Sequence, residues 1–256
     1  MIKEKIGKLL IIFISLVSIV AIFFVDPIKQ DLAYHQFVDS KSMFGVPNFW
    51  NVVSNVPFFL VGIYALMCFN RMKLIAEMGV AYWLFFFGVS MVAFGSGYYH
   101  ILPNNETLVW DRLPMTVAFM SLFAIIISEF IDARRGALLL IPFILLGVFS
   151  VFYWQWTESN GAGDLRFYAL VQFLPIVLIP VILLFYPTRF VNITGYWLLL
   201  LAYVIAKLFE NFDAVIFEIT GGIISGHSIK HVIAAIGVMF LFINYKNRIR
   251  IYLPND

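Results

Sequence analysis

The sequence predicts an all-α fold, a polytopic membrane helix bundle with a seven-helix core and one extra N-terminal transmembrane helix. Of the 256 residues, 62% are hydrophobic and 12% are charged, whereas an average soluble domain has about 45–50% apolar and about 25% charged residues. The apolar residues form long continuous runs, unlike the alternating pattern of a membrane β-barrel. Eight runs approach the roughly 20 residues that a helix needs to cross a bilayer. Helices satisfy their own backbone hydrogen bonds in lipid, so helical spans are expected.

The predicted spans follow one another along the chain. They cover residues 9–25, 50–69, 80–99, 113–130, 137–154, 167–186, 195–209 and 228–245. Lysines precede the first span, as they do in a signal peptide, but its apolar run is longer than usual and no small-residue cleavage site follows. A retained helix is therefore favoured over a cleaved one. We expect one integral membrane domain over residues 1–256, with the extra helix in residues 1–30 and the core in residues 48–246.

Positive charge is distributed unevenly between the two faces of this predicted bundle. Eleven of the 17 lysines and arginines flank one face and six flank the other. Cytoplasmic loops carry the excess of such residues, so both termini are predicted to be cytoplasmic. The opposite loops cover residues 26–49, 100–112, 157–166 and 210–227, and with the adjoining helix ends they hold all four histidines and most of the acids. A functional site is expected on this non-cytoplasmic side.

Three stretches combine residues that could perform hydrolytic chemistry. They are FGSGYYH with Ser96 and His100, NNETLVWDRLPMT with Asp111, and SGHSIKH with His227 and His231. The last two histidines are four residues apart, so they share a helix face and could chelate one ion. His100 is predicted at the same membrane depth, and three imidazoles plus water make an open zinc site. Asp111 could accept a proton from that water, and Ser96 could stabilise an oxyanion.

Two other groups of charged residues have more ordinary interpretations. Lys207 and Glu210 end the seventh span, where structural ion pairing helped by Lys230 is expected, since charges near a membrane find partners. His35 and Asp39 also have i, i+4 spacing, but they lie in a loop. They are interpreted as a surface or hydrogen-bonding pair.

Polar residues at the start of two spans have predicted structural roles. Asn51, Ser54 and Asn55 begin the second span, where they could cap the helix or bond a neighbouring helix. Pro114, near the start of the fourth span, fits a first helical turn.

At these positions the chain resembles the alkaline ceramidase family, part of a superfamily of seven-helix membrane hydrolases that includes the adiponectin receptors. The resemblance rests on FWNVVSN at 49–55, Ser96-x-x-x-His100, Asp111 eleven residues later, and His227-x-x-x-His231, and it extends over residues 48–245. It implies a Zn²⁺ ion held by the three histidines, with Asp111 and Ser96 beside a zinc-activated water. It also implies hydrolysis of the amide bond of an N-acyl lipid such as ceramide, taken from the bilayer.

The chain departs from the eukaryotic members of that family in one region. Their calcium site uses an acidic N-terminal segment and a glutamate just before the FWN motif. Here that place holds Asn48, and the segment HQFVDSKSMFGVP is sparse in acids, with Asp39 as the remaining candidate for a Ca²⁺ ligand. In this respect the segment is more similar to bacterial members.

Two other functions fit the same residues. One is an ester hydrolase acting on a phospholipid or a lipid anchor, since the same water and oxyanion stabiliser would serve. The other is a non-enzymatic seven-helix sensor, in which Asp111 would complete a closed structural zinc site. The net charge of +2 is spread thinly over the chain and gives no support for nucleic-acid binding.

Overall fold

The computed structural model describes residues 2–251, which form α-helices joined by turns, a few 3₁₀ turns and one long irregular connection between the first two α-helices, residues 22–48, called the N-terminal segment below. In chain order the α-helices are α1 (Ile2–Ala21), α2 (Phe49–Val53), α3 (Val56–Met67), α4 (Gly79–Ile101), α5 (Asn105–Phe130), α6 (Ala133–Ser159), α7 (Arg166–Phe185), α8 (Thr194–Asn211), α9 (Asp213–Ile219) and α10 (Gly226–Asn247). The prediction of an all-helical membrane bundle is confirmed.

Six helical segments are long and apolar enough to cross a membrane. They are Phe49–Met67, which combines α2 and α3, and the segments Ala76–Ile101, Asn105–Phe130, Ala133–Ser159, Arg166–Phe185 and Gly226–Asn247. The two remaining predicted spans are also helical, as α1 and α8. Both carry charged residues near one end, Lys3, Glu4, Lys5 and Lys8 in α1 and Lys207 and Glu210 in α8.

Helix α5 is the central helix of the bundle. In its most apolar window 72% of the residues are buried, against 28–50% for the other candidate spans. It begins at a capping box, in which the Asn104 side chain accepts the Thr107 N–H at 2.9 Å and the Thr107 hydroxyl accepts the Asn104 N–H at 3.2 Å. The predicted start at residue 113 is therefore wrong, and Pro114 lies inside the helix rather than in its first turn.

The internal proline explains how closely α4 approaches α5. Pro114 has no N–H, so the Trp110 carbonyl loses its usual helical partner. That carbonyl faces Gly95, where an added Cβ would lie 2.0 Å from the Trp110 oxygen. Only glycine permits this approach, which places Ser96 next to Asp111.

Helix α1 packs along α7 and is fixed at both ends. At one end an added Cβ on Gly7 would lie 2.6 Å from the Phe185 Cβ. At the other end Arg166 donates to the carbonyls of Ile22 at 3.0 Å and Val25 at 2.6 Å. The same guanidinium pairs with Asp164 at 2.9 Å and lowers the pKa of that carboxyl. These hydrogen bonds hold the chain that follows α1 against the beginning of α7.

A buried ion pair lies at the other end of α5. Arg248 donates to both carboxylate oxygens of Glu129, at 2.8 and 2.6 Å. Tyr82 also donates to this carboxylate, and Tyr196 donates to it at 2.9 Å. Both ions are 1% exposed, and their pairing satisfies charges that would otherwise be costly to bury.

Candidate metal centre

Three histidines from two distant parts of the chain converge at one end of the bundle. His100 comes from the last turn of α4, and His227 and His231 come from the first turns of α10. Their ring centroids are 5.0–5.2 Å apart, and one nitrogen from each ring lies within 4.8 Å of the others. All three are buried. The structure therefore brings together the three residues predicted as metal ligands.

Two of these rings present nitrogens without a hydrogen-bond partner. Among residues 2–251, Nδ1 of His100 and Nε2 of His227 are buried and have none. A buried polar atom left unpaired costs roughly 1–3 kcal/mol. A metal ion would relieve that cost at both nitrogens, so the triad fits zinc, whose ligands include neutral imidazoles.

The third histidine is oriented by a serine on α2–α3. The Ser54 hydroxyl lies 2.9 Å from Nδ1 of His231 and donates its own hydrogen to the Asn51 carbonyl at 3.2 Å. It is then free to accept a hydrogen from Nδ1, and the tautomer with hydrogen on Nδ1 leaves the Nε2 lone pair for a metal. Ser54 and Asn51 therefore bond the neighbouring helix α10, one of their two predicted roles. Asn55 takes neither role, since its amide donates to the Asn51 carbonyl at 2.7 Å.

The start of α10 is held in place by contacts with three other segments. The Ser228 hydroxyl donates to the Asn51 side chain at 2.8 Å, and the His227 N–H donates to Asp213 at 2.6 Å. An added Cβ on Gly226 would lie 2.1 Å from the Phe209 carbonyl oxygen. These contacts fix the position of the two α10 histidines before any ion binds.

The fourth histidine does not join the cluster. His35 bonds the Tyr99 hydroxyl at 3.0 Å and the Asn105 side chain at 2.8 Å, which ties the N-terminal segment to α4 and α5. Asp39 is 1% exposed and its Oδ1 accepts the Lys41 N–H at 3.3 Å. The interpretation of His35 and Asp39 as a surface pair, or as a pair bonded to each other, is therefore wrong, because each is bound to other residues.

Ser96 and Asp111 lie side by side on the wall of a cavity of about 440 Å³. His231 lines the same cavity, so the histidine cluster opens into it. Asp111 is 8% exposed, and its carboxylate is outside the group of atoms that could share one ion. This geometry separates the aspartate from the ligand set while keeping it at the edge of the space in which a substrate would bind.

The rest of the cavity wall is largely apolar. It includes Phe85, Val89, Leu122, Ile179 and Val238 from α4, α5, α7 and α10. A space of this kind suits an acyl chain, because apolar pockets with a few polar groups bind amphiphilic ligands.

The predicted ion pairs at the end of α8 are present. Lys207 donates to Glu210 at 2.5 Å, and Lys230 donates to the other oxygen of the same carboxylate. All three residues line the polar end of the cavity. Their mutual pairing satisfies Glu210 without involving Asp111.

Several residues that shape the site could not be assigned from the sequence. Phe37 packs its ring against His100 and His227, with centroids 4.7 and 5.2 Å apart. Gln30 and Tyr34 come from the same N-terminal segment, Gln30 bonding the cavity residue Arg112 and Tyr34 lining the cavity itself. No spacing rule connects this loop to helices that follow it by 60 to 200 residues.

Comparison with known protein families is consistent with this arrangement. A sequence profile of the ceramidase family matches residues 43–252. No curated protein and no solved structure matches the chain. Since the profile covers most of the sequence, including the whole histidine cluster, the chain belongs to the ceramidase family.

Proposed function

We propose that this protein is a zinc-dependent intramembrane hydrolase that cleaves the amide bond of an N-acyl lipid such as ceramide. The observation that carries the proposal is the cluster of His100, His227 and His231, of which His231 lines an apolar cavity that has Ser96 and Asp111 on its wall. Family membership supports an amide of a lipid as the bond that is cleaved.

The chain supplies the groups that such a reaction needs. A bound zinc ion would supply a water activated near neutral pH and would polarise the scissile carbonyl. Asp111 would accept the proton of the attacking water and return it to the leaving amine. The Ser96 hydroxyl would donate a hydrogen bond to the carbonyl oxygen as negative charge develops on it. Each of these groups is buried, so bulk water would not compete for their hydrogen bonds.

The arrangement favours a catalytic role over a structural zinc. A structural site is closed by four protein ligands, whereas a catalytic site keeps one position open. Among the described residues, the cluster contains three histidines and no fourth His, Cys, Asp or Glu. Ser54 also holds His231 from outside the cluster, as outer-shell residues do in catalytic sites.

The substrate would enter from the bilayer, because its acyl chains gain nothing by leaving it. Apolar residues of α7, Phe173 and Ala169, line both the main cavity and a second cavity of about 270 Å³ between α1 and α7. This shared wall supports a lateral path from lipid to the metal centre.

The proposal predicts different defects for two substitutions. His231→Ala should lower zinc content well below one ion per chain and abolish turnover, because a ligand is lost. Asp111→Asn should keep zinc but lower kcat by about 10²–10⁴-fold, the usual contribution of a general base. Metal analysis by mass spectrometry and turnover of matched amide and ester lipids would measure both effects.

His35→Gln is the matched control, since His35 lies near the cluster but bonds Tyr99 and Asn105 instead. It should retain wild-type zinc content. Retained turnover in His231→Ala would contradict the proposal, and exclusive turnover of the ester lipids would transfer the activity to a different bond.

A further inference from the structure

A buried arginine lies beside the proposed catalytic aspartate, and no carboxylate among residues 2–251 pairs with it. Arg112 is 6% exposed and lines the main cavity. Its Nη2 donates to the side-chain oxygen of Gln30 at 2.6 Å. Its guanidinium lies over the rings of Trp154 and Tyr168, with its central carbon 4.1 and 4.6 Å from their centroids. Its Nη1 is buried and has no hydrogen-bond partner in residues 2–251.

A second buried arginine, Arg248, shows how the hydrogen-bonding groups of a buried guanidinium are satisfied in this fold. Arg248 binds Glu129 through two nitrogens and donates its Nε to the Lys73 carbonyl at 2.8 Å. Arg112 has only a neutral amide and two aromatic faces. A buried cation with neutral partners alone is costly, so Arg112 is the position in this chain where an anion from outside would be most stabilising.

The acids around Arg112 do not supply that anion. Glu158 accepts the backbone N–H of Gln30 and the indole N–H of Trp154, each at 3.2 Å, and no ion pair between Glu158 and Arg112 is found among residues 2–251. Asp111 precedes Arg112, but its neighbour in the cavity is the Ser96 hydroxyl, and no ion pair between Asp111 and Arg112 is found in the described part of the chain. Glu210 is already shared by Lys207 and Lys230.

The formally charged side chains of the cavity wall, histidine excluded, carry a net positive charge of one. Three are cations (Arg112, Lys207 and Lys230) and two are acids (Asp111 and Glu210). Loading a divalent metal on the histidines would add further positive charge at this end of the cavity, which would strengthen the attraction for an anionic ligand.

Gln30, which accepts the hydrogen bond from Arg112, lies outside the segment shared with the family. Gln30 precedes the matched residues 43–252, as does Tyr34, which lines the same cavity. The N-terminal segment therefore completes a polar pocket that the seven-helix core alone does not contain.

We infer that Arg112 binds an anionic group on the lipid head group, so that the preferred ligands are N-acyl lipids with a carboxylate, sulfonate or phosphate close to the amide. Arg112 and Asp111 line the same cavity, so an anion on the guanidinium would keep the amide in the space that the aspartate faces. The planar guanidinium matches such oxyanions through paired hydrogen bonds. The hydrolysis of these lipids rests on the proposed function, but their selective binding does not.

Two lipids of nearly equal size test the inference. N-palmitoylglycine carries a carboxylate next to the amide, and N-palmitoylethanolamine carries a hydroxyl at the same place. Isothermal titration calorimetry with the purified full chain in neutral detergent micelles would give both dissociation constants, and turnover of the two lipids would be measured in parallel. The wild-type protein should bind the carboxylate lipid at least tenfold more tightly.

Substitutions at the pocket should remove this preference selectively. Arg112→Gln should weaken binding of the carboxylate lipid at least tenfold and change binding of the neutral lipid by less than threefold. Arg112→Lys keeps the charge but not the planar fork, so it should retain part of the preference. Gln30→Leu removes the hydrogen bond that positions the guanidinium, so it should reduce the preference. This variant is the substitute test if Arg112→Gln does not fold. Arg134→Gln removes an exposed charge on α6 and should leave the binding ratio unchanged.

The outcomes separate this inference from the proposed function. Tight, Arg112-dependent binding of the carboxylate lipid, with no hydrolysis of either lipid or of ceramide, would support the inference and overturn the proposed function. Hydrolysis of both lipids with equal dissociation constants would overturn the inference alone. An equal loss of binding affinity for both lipids in Arg112→Gln would show that the arginine is structural. A preference for free palmitate, without a preference for the carboxylate head group, would show that Arg112 binds the product. Either result would overturn the inference.

Discussion

At the scale of single residues, the metal centre depends on side chains that would touch neither metal nor substrate. Ser54 fixes the orientation of His231, and its own hydrogen is directed to the Asn51 carbonyl. Asn51 in turn accepts a hydrogen from Ser228 at 2.8 Å and donates one to the Asp39 carbonyl at 2.9 Å. This chain of hydrogen bonds connects the N-terminal segment, α2 and α10 behind the histidines.

We expect Ser54→Ala to weaken zinc binding about 10–100-fold, the usual effect of removing an outer-shell partner of a histidine ligand. Competition with a chromogenic chelator would measure it. Ser121→Ala is the matched control, since Ser121 is also buried on a membrane helix and its hydroxyl has no partner among residues 2–251. Equal affinity in Ser54→Ala and the wild type would show that the serine does not orient the ligand.

The sequence was informative about residues that carry chemistry and uninformative about those that position them. His227 and His231 could be paired because i, i+4 spacing on a helix places them on one face. His100 and Asp111 could be added because topology predicts their membrane depth. For Ser54 a bond to a neighbouring helix was one of two predicted roles, but its partner His231 could not be named, and no role was predicted for Gln30. Their contacts join residues 177 and 82 positions apart, and a single sequence does not specify which loop covers which helix end.

At the scale of helices, the contact between α4 and α5 determines how close Ser96 lies to Asp111, the proposed catalytic pair. Gly95 and Pro114 act together here, one by lacking a side chain and the other by freeing a carbonyl. The α-helical type and order of the spans could be predicted, since long apolar runs have few alternatives in lipid. The start of α5 could not, because its first two turns are polar and their stability comes from the cap at Asn104.

Gly95→Ala should destabilise the protein by about 1–3 kcal/mol, the usual cost of overpacking, and should lower kcat because Ser96 and Asp111 would separate. Thermal unfolding in detergent and turnover of an N-acyl lipid would show the two effects together. Gly97→Ala tests the same helix two residues further on, where an added Cβ meets nothing within 4 Å. That variant should be as stable as the wild type or up to about 1 kcal/mol more stable, and a Gly95→Ala protein with the same properties would contradict the assigned role of the contact.

At the scale of the whole molecule, α5 connects two polar centres at opposite ends of an apolar bundle. Asp111 and Glu129 are 18 residues apart on this helix, which corresponds to about 27 Å at 1.5 Å per residue. The cavity wall between these two residues is largely apolar. The Asp111 end of α5 and the Glu129–Arg248 ion pair are therefore separated by about the thickness of the hydrocarbon core. We interpret the distant ion pair as a structural element that joins α5 to the end of α10.

Glu129→Ala should cost about 3–5 kcal/mol of stability, because Arg248 would remain buried and unpaired. The double variant Glu129→Leu/Arg248→Met should recover most of that loss, since it removes both charges. Unfolding titrations with a denaturing detergent would measure the two free energies. A double variant no more stable than Glu129→Ala would show that the ion pair does more than balance its own charges.

The N-terminal segment has a consequence for how this scaffold could diversify. In this segment Tyr34 lines the main cavity and Gln30 binds Arg112, yet both lie upstream of the family region at residues 43–252. Exchange of this segment would therefore change which amphiphiles are accepted, while the three histidines themselves lie in the shared region and are retained. Head-group selectivity and hydrolysis would then depend on separate segments of one polypeptide, which could change independently during evolution.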